Sequence, residues 1–196
     1  MLIKEYSRAM NAINFPERIP FNNYLDSESL QVVRADALPI TEIVRTQVAS
    51  ICNQPLIYKT LFQEAFDDIP YGEKNAQEFF EWAHEGWRSN SHFVFLLVNE
   101  HGHIAGALDI KSADFAAAEV GYWASAEYPG NVTNALVAML DAATLVGFAR
   151  FTAYVSKVYA KSTRVLERAG FTFAIANKKQ QGFVFLEHVR ERVVSL

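Results

Sequence analysis

A chain of 196 residues, 51 % apolar and 13 % aromatic, is long enough to bury a substantial core, and such a composition excludes intrinsic disorder. Its formal net charge of −4 argues against broad nucleic-acid binding, although a locally basic pocket is compatible with it. The longest fully apolar stretches span only a few residues, so no membrane-crossing segment is expected, and the charged N-terminus Met1–Arg8 lacks the apolar run of a secretory leader. The single cysteine, Cys52, rules out an intramolecular disulfide and a four-thiolate zinc site, which fits a reducing cytoplasm and equally other compartments.

Residues 1–28 read as an irregular arm, interrupted by Pro16 and Pro20 and anchored by Phe15, Ile19, Phe21, Tyr24 and Leu25; residues 29–196 read as a single domain. Ser29–Arg34 is a short strand with Leu30 and Val32 on one face. Asp36 stands where a helix N-cap belongs, and a helix is predicted over Asp36–Ser50 with Pro39 near its start, where a missing N–H costs little. Pro55 breaks the next segment, whose second half can run as a helix towards Phe66, and Asp67–Gly72 is a turn. From Glu73 to about Arg88 a helix concentrates Phe79, Phe80, Trp82, Ala83 and Trp87 on one broad side. His92–Val98, His103–Ile110 and Phe115–Trp123 are strands separated by the turns Asn99–Gly102 and Ser112–Asp114, an antiparallel meander. After Gly130, Val132, Ala135, Leu136, Met139, Leu140, Ala143 and Val146 recur at helical spacing up to a stop at Gly147. Phe151–Val155 is a strand, Ala160–Ala169 a short helix closed by Gly170, Phe171–Ile175 a strand, Asn177–Gln180 a turn, and Gly182–Arg190 the last strand. The fold class is α+β in one layered unit.

Two strand ends are thus delivered beside helix N-termini, where unpaired N–H groups hold anions. Pro129 and Gly130 open the first, with the N–H groups of Asn131, Val132, Thr133 and Asn134 as donors; the plainer reading is a Pro-Gly loop and nothing more. Lys157, Lys161, Arg164 and Arg168 share one face if the second helix extends back that far, either as phosphate partners or as a solvated basic face. Ser162, in the first turn of that helix, can bond a thiol sulfur or its own backbone. The phenols of Tyr159 and Tyr154 can act as general acids or simply fill space. Glu119 is the first candidate base: strand alternation puts it with Gly121 and Trp123 on the more open face, opposite Val120 and Tyr122, and Asp109 and Asp114 rank behind it because they flank turns. His84, His92, His101, His103 and His188 make no metal-binding pattern, and HExxH, CxxC, GxGxxG, GxxxxGK[ST] and GxSxG are all missing.

The pieces SLQVVRADA from Ser29, HIAGALDI from His103, EVGYW from Glu119 and STRVLERAGF from Ser162 resemble the GCN5-related N-acetyltransferase (GNAT) superfamily, in particular its branch of ribosomal-protein N-terminal acetyltransferases. The resemblance spans roughly Ser29 to His188. It implies a mixed, largely antiparallel central sheet flanked by helices, with two central strands splayed around acetyl-coenzyme A. Tyr122, Trp123 and Ala124 would then lie beside the pantetheine and thioester, Gly130 would match a glycine of the pyrophosphate loop, and Ser162 would stand near the coenzyme's sulfur. Pro129 takes the place of the family's basic or amide residue. An ungapped comparison puts Val132 where a second glycine belongs; alternatively the loop is about two residues shorter. Tyr159 replaces an Asn, and Leu166 stands where many members carry a general-acid tyrosine. The implied reaction is acetyl transfer to the amine of a small molecule, a peptide or a protein N-terminus. Glu119 would serve as base, Ser162 or Tyr159 would meet the leaving thiolate, and Lys157 and Lys161 would lie near the phosphates. A catalytically inactive coenzyme-binding or regulatory module on the same fold is the alternative. No metal, nucleic acid or membrane partner is expected, and the chain is read as a cytoplasmic monomer or homodimer.

Overall fold

The computed structural model describes residues 13–157, 159–175 and 183–190. Among the described residues, eight strands form one sheet in the order β1-β2-β3-β4-β5-β6-β8-β7. They are β1 (Arg18–Asn22), β2 (Ser29–Arg34), β3 (Phe93–Asn99), β4 (Ile104–Ile110), β5 (Ala118–Ala124), β6 (Arg150–Ser156), β7 (Thr172–Phe173) and β8 (Phe183–Val189). The helices are α1 (Glu42–Cys52), the short α2 (Pro55–Ile57), which continues into a π-helical turn, α3 (Glu73–Ser89), α4 (Asn131–Leu145) and α5 (Ala160–Arg168). Neighbouring strands run antiparallel except β5 and β6, which are parallel because α4 crosses between them.

All seven residues of β3 are buried, as expected of a strand covered on both faces. On one face Phe93, Phe95, Leu97 and Val120 meet Ala135, Leu136, Met139 and Leu140 of α4. On the other, Val33, Leu96, Val98 and Ala107 meet Val48, Ile51 and Cys52 of α1 and Ala76 and Phe80 of α3. The alternation along β3 therefore separates the two helical layers. Phe15 inserts its ring among Trp87, Phe93, Phe95 and Phe148, tying the chain ahead of β1 into the first layer.

Several predicted elements sit differently. Residues 18–22, expected in an irregular arm, form the edge strand β1; Pro20 is tolerated there because the outer side of β1 pairs with no described strand. The helix expected from Asp36 begins at Glu42. Pro39 holds Leu38 extended (φ −103°, ψ 135°), so only a 3-10 turn over Ala35–Ala37 precedes it. Thr41 is the N-cap, its hydroxyl accepting from the Val44 N–H at 3.3 Å, while Asp36 instead pairs with Arg34 at 2.6 Å. β5 starts at Ala118 rather than Phe115, and β7 is shorter than expected. Gly147 (φ +117°) and Gly170 (φ +91°) close α4 and α5 as predicted. The turn expected at Asn177–Gln180 lies outside the described residues. Among the described residues no helix is long and apolar enough to cross a membrane.

Replacing the fully buried Phe95 by Ala should cost about 3–5 kcal/mol of unfolding free energy. Ile43→Ala, at a side chain 70 % exposed on α1, should change it by at most about 0.5 kcal/mol. Urea denaturation of the two variants measures both.

Candidate active site

The sheet opens at its one parallel junction. β5 and β6 pair only at Ala118–Phe151 and Glu119–Thr152 and then diverge. On its other side β5 is fully laddered to β4, from Gly106–Ala124 to Ile110–Val120. The Lys111 N–H donates to the Glu119 carbonyl and the Ser125 N–H to the Ala105 carbonyl. The odd-numbered main-chain groups of β5 therefore bond to β4, and by the alternation of an antiparallel ladder those of Tyr122 and Ala124 point into the gap. The Tyr122 hydroxyl reaches across it and donates to the Ser162 carbonyl at 3.2 Å, and burial raises its pKa to about 12.

At the mouth of this gap β5 gives way to the loop leading into α4. Gln54 holds that loop, its amide donating to the Ser125 hydroxyl at 2.9 Å and its carbonyl accepting from the Ala126 N–H at 2.7 Å. Gly130 caps α4 in a left-handed conformation (φ +93°) that a side chain would strain, and a Cβ there would fall 2.4 Å from the Asn23 Oδ1. The Asn131, Val132 and Thr133 N–H groups precede the first intrahelical bond and are the donors at this end. The Asn131 side chain is fully buried with neither polar atom hydrogen-bonded among the described residues. Asn134 instead uses its amide to bond the Asn22 carbonyl at 2.8 Å. Val132 is largely buried in the sheet-facing layer, so it does not fill the corner.

A cavity of about 350 Å³ lies between the start of α4 and α5, lined by Gly130, Val132 and Thr133 on one side and by Lys161, Arg164 and Arg168 on the other. None of the described residues lining it is acidic. α5 begins only at Ala160, so Lys157 lies in the turn before the helix, exposed and not among the cavity's lining. Tyr159 occupies the position ahead of the helix, where its carbonyl accepts from the Ser162 N–H at 3.0 Å. Tyr154 packs on Phe185 on the face of β6 opposite the core residues Phe151, Ala153 and Val155, and Leu166 is fully buried.

The opposite face of β4 and β5, under α3, is acidic. Glu119, Gly121 and Trp123 share it as expected, with Trp123 packing beside Phe79 of α3. Glu119 is tied to the Lys111 ammonium at 2.5 Å. Cross-strand pairing places Asp109 opposite Gly121, where its Oδ1 would lie 2.8 Å from a Cβ, and that oxygen is buried with no hydrogen-bond partner among the described residues. Burial raises the pKa of Asp109 against the opposing pull of Lys111 and the Gly121 backbone, and Glu119 raises it further. Asp109, expected to flank a turn, sits inside β4 as one carboxylate within the otherwise apolar run Ile104–Ile110.

A family model described as an acetyltransferase (GNAT) domain matches residues 39–172. The chain belongs to the GNAT acetyltransferase family. Among solved structures, this GNAT chain resembles the microcin self-immunity acetyltransferase MccE in complex with acetyl-CoA and AMP: 19 % identity over 82 % of this chain and 92 % of that one, TM-score 0.66. It also resembles RimJ of Mycobacterium smegmatis in complex with CoA-disulfide, at 16 % identity over 91 % and 89 % of the two chains with a TM-score of 0.68. RimL, a ribosomal α-N-protein acetyltransferase in complex with coenzyme A, matches at 16 % identity over 88 % and 98 %, TM-score 0.67. These likenesses show the fold. No curated protein sequence matches. The fold class expected from the sequence is thus borne out, and so is the expectation of an acetyltransferase.

Because the fold raises the Asp109 pKa, its protonated form is favoured in the native state. The stability this contributes is complete below the unfolded value of about 3.9 and is lost as pH rises through the native one. The GNAT chain carrying Asp109→Asn should therefore melt higher than the parent at pH 7, with the difference vanishing towards pH 3.5; thermal denaturation across that range checks the sign.

Proposed function

We propose that this acetyltransferase transfers an acetyl group from acetyl-CoA to a primary amine. The observation that carries the proposal is the gap between β5 and β6, unpaired beyond Glu119 and Thr152, leading onto a cation-lined cavity at the start of α4. The residues fit the coenzyme. Pantetheine has amide groups that complement the free main-chain groups of Tyr122 and Ala124. Gly130, Asn131, Val132 and Thr133 offer main-chain N–H groups at a helix N-terminus for a pyrophosphate, and Lys161 and Arg164 offset its charge. Gly130, in the left-handed conformation directly before α4, leaves that helix end open for such a ligand.

When bound, the thioester supplies the electrophilic carbonyl. The amine nitrogen forms the new C–N bond, the C–S bond breaks, and one proton leaves the amine while the thiolate gains one. An ammonium cannot attack, so a base is required, and Asp109 suits that role better than Glu119. Glu119 is held by Lys111, whereas Asp109 keeps an unpartnered oxygen and a raised pKa closer to working pH. The Glu119–Lys111 pair then sets the field around it. Trp123 and Ala124 lie beside the thioester, where the Ala124 N–H polarises the carbonyl. Ser162, held at the gap through its carbonyl by Tyr122, is assigned to the leaving sulfur, with Tyr159, just ahead of α5, as the second candidate donor. Acceptors entering as cations, small amines or protein N-termini, suit the carboxylates on this face.

Thiol release from acetyl-CoA, measured over a panel of small amines and N-terminal peptides, tests the proposal. Amine-dependent release is expected, falling about 10²–10⁴-fold in Asp109→Asn with little change in coenzyme affinity. Its rate should rise with pH through a value above the ordinary aspartate range, since only the deprotonated carboxylate accepts a proton. Absence of amine-dependent release from every acceptor would contradict the reading.

A further inference from the structure

We propose that the β1–β2 loop and the last turn of α5 form a clamp for the 3′-phosphoadenosine end of coenzyme A, with Tyr24 stacking on the base and Arg168 pairing with the 3′-phosphate. The inference rests on the coenzyme reading above. The cavity extends well past what a pyrophosphate requires. From Gly130 and Thr133 it follows one face of α5 through Lys161, Arg164 and Arg168, ending against Tyr24 and Leu25. Lys161 and Arg168 are seven residues apart, about 10 Å along a helix. The α4 N-terminus with Lys161 and Arg164 is enough for a diphosphate, which leaves Arg168 as a cation for a third phosphoryl group farther out.

The surface beside Arg168 has the chemistry of a base-binding platform. Tyr24 and Leu25 are 49 % and 64 % exposed although both line the cavity. The Arg168 guanidinium lies over the Tyr24 ring, 5.1 Å from its centroid, an arrangement that orients the guanidinium while its N–H fork stays available. An aromatic ring next to an oriented cation accepts a purine face and a phosphate together.

The loop carrying Tyr24 is pre-positioned by the phosphate site itself. Asn23, 3 % exposed, donates its amide to the Pro129 carbonyl at 3.0 Å and accepts from the Leu25 N–H at 2.8 Å. The Tyr24 N–H donates to the Gly130 carbonyl at 3.2 Å, and the Asn23 N–H to the Glu28 carbonyl at 2.8 Å. The missing Cβ of Gly130 leaves room for Asn23, so the platform and the α4 cap are built as one unit. In this chain the N-terminal hairpin supplies a wall of the nucleotide site next to the loop before α4.

Titration calorimetry with coenzyme A and with 3′-dephospho-coenzyme A, on the full chain, tests the clamp. The parent should bind coenzyme A at least about tenfold more tightly than the dephospho form. Arg168→Gln should abolish that ratio while leaving the dephospho affinity unchanged, and Tyr24→Ala should weaken both ligands alike by about tenfold. Equal affinities in the parent, or an Arg168→Gln variant that weakens both ligands equally, would overturn the clamp while the coenzyme reading stands. Failure of the parent to bind either ligand would overturn both. Should Arg168→Gln not fold, the parent's ratio still decides.

Discussion

The site depends on a parallel strand pair that holds for two residue pairs and then parts. Buried main-chain N–H and C=O groups need partners, so a sheet opening in its interior is costly unless something else enters the gap. Here β5 stays straight because its far edge is laddered to β4 along its length. β6 is drawn away with β8, to which it pairs over seven positions. The Tyr122 hydroxyl, bonded to the Ser162 carbonyl, spans the resulting gap and fixes its width next to the acetyl group's proposed position. The proposed ligand, an extended chain carrying amides, would complete this sheet in a way that water or a side chain does not.

Around that opening the charge is strongly divided. The chain as a whole carries −4, yet the cavity at the start of α4 has three cationic side chains and no acid among its described lining. The opposite face of the same two strands holds Asp109 and Glu119 with Lys111 between them. One sheet thus separates a cationic side from an acidic one, and both reach the same stretch of β5. Loops far apart in sequence stiffen the arrangement: Gln54 ties down the segment after β5, and Asn23 ties the first hairpin to Pro129.

Much of the layout was readable from the residues because local chemistry and tertiary packing agreed. The apolar period of α4, the glycines closing α4 and α5, and the β3–β4–β5 meander all carry short-range signals, and each is present in the fold, with only the start of β5 shifted from Phe115 to Ala118. β1 was missed because Pro20 reads as a breaker, and only long-range pairing with β2 makes it an edge strand. The start of α1 moved from Asp36 to Thr41 since the restriction Pro39 places on Leu38 outweighed a good capping residue. At the site, Glu119, Gly130 and the Lys161–Arg168 face were visible in sequence. The placing of Asp109 opposite Gly121 was not legible, because that pairing is set by register and not by spacing. Tyr24 and Arg168 meet only through the folding of the hairpin onto α5, a contact no local pattern announces.

The central claim is that acetyl-CoA completes the open edge of β5 and the free end of α4. Amide hydrogen exchange resolved to single residues, with and without acetyl-CoA, measures this directly. The account predicts strong added protection at the N–H groups of Tyr122, Ala124, Asn131, Val132 and Thr133, with β1 to β3 unchanged. Unchanged exchange at those five amides under saturating acetyl-CoA would contradict it.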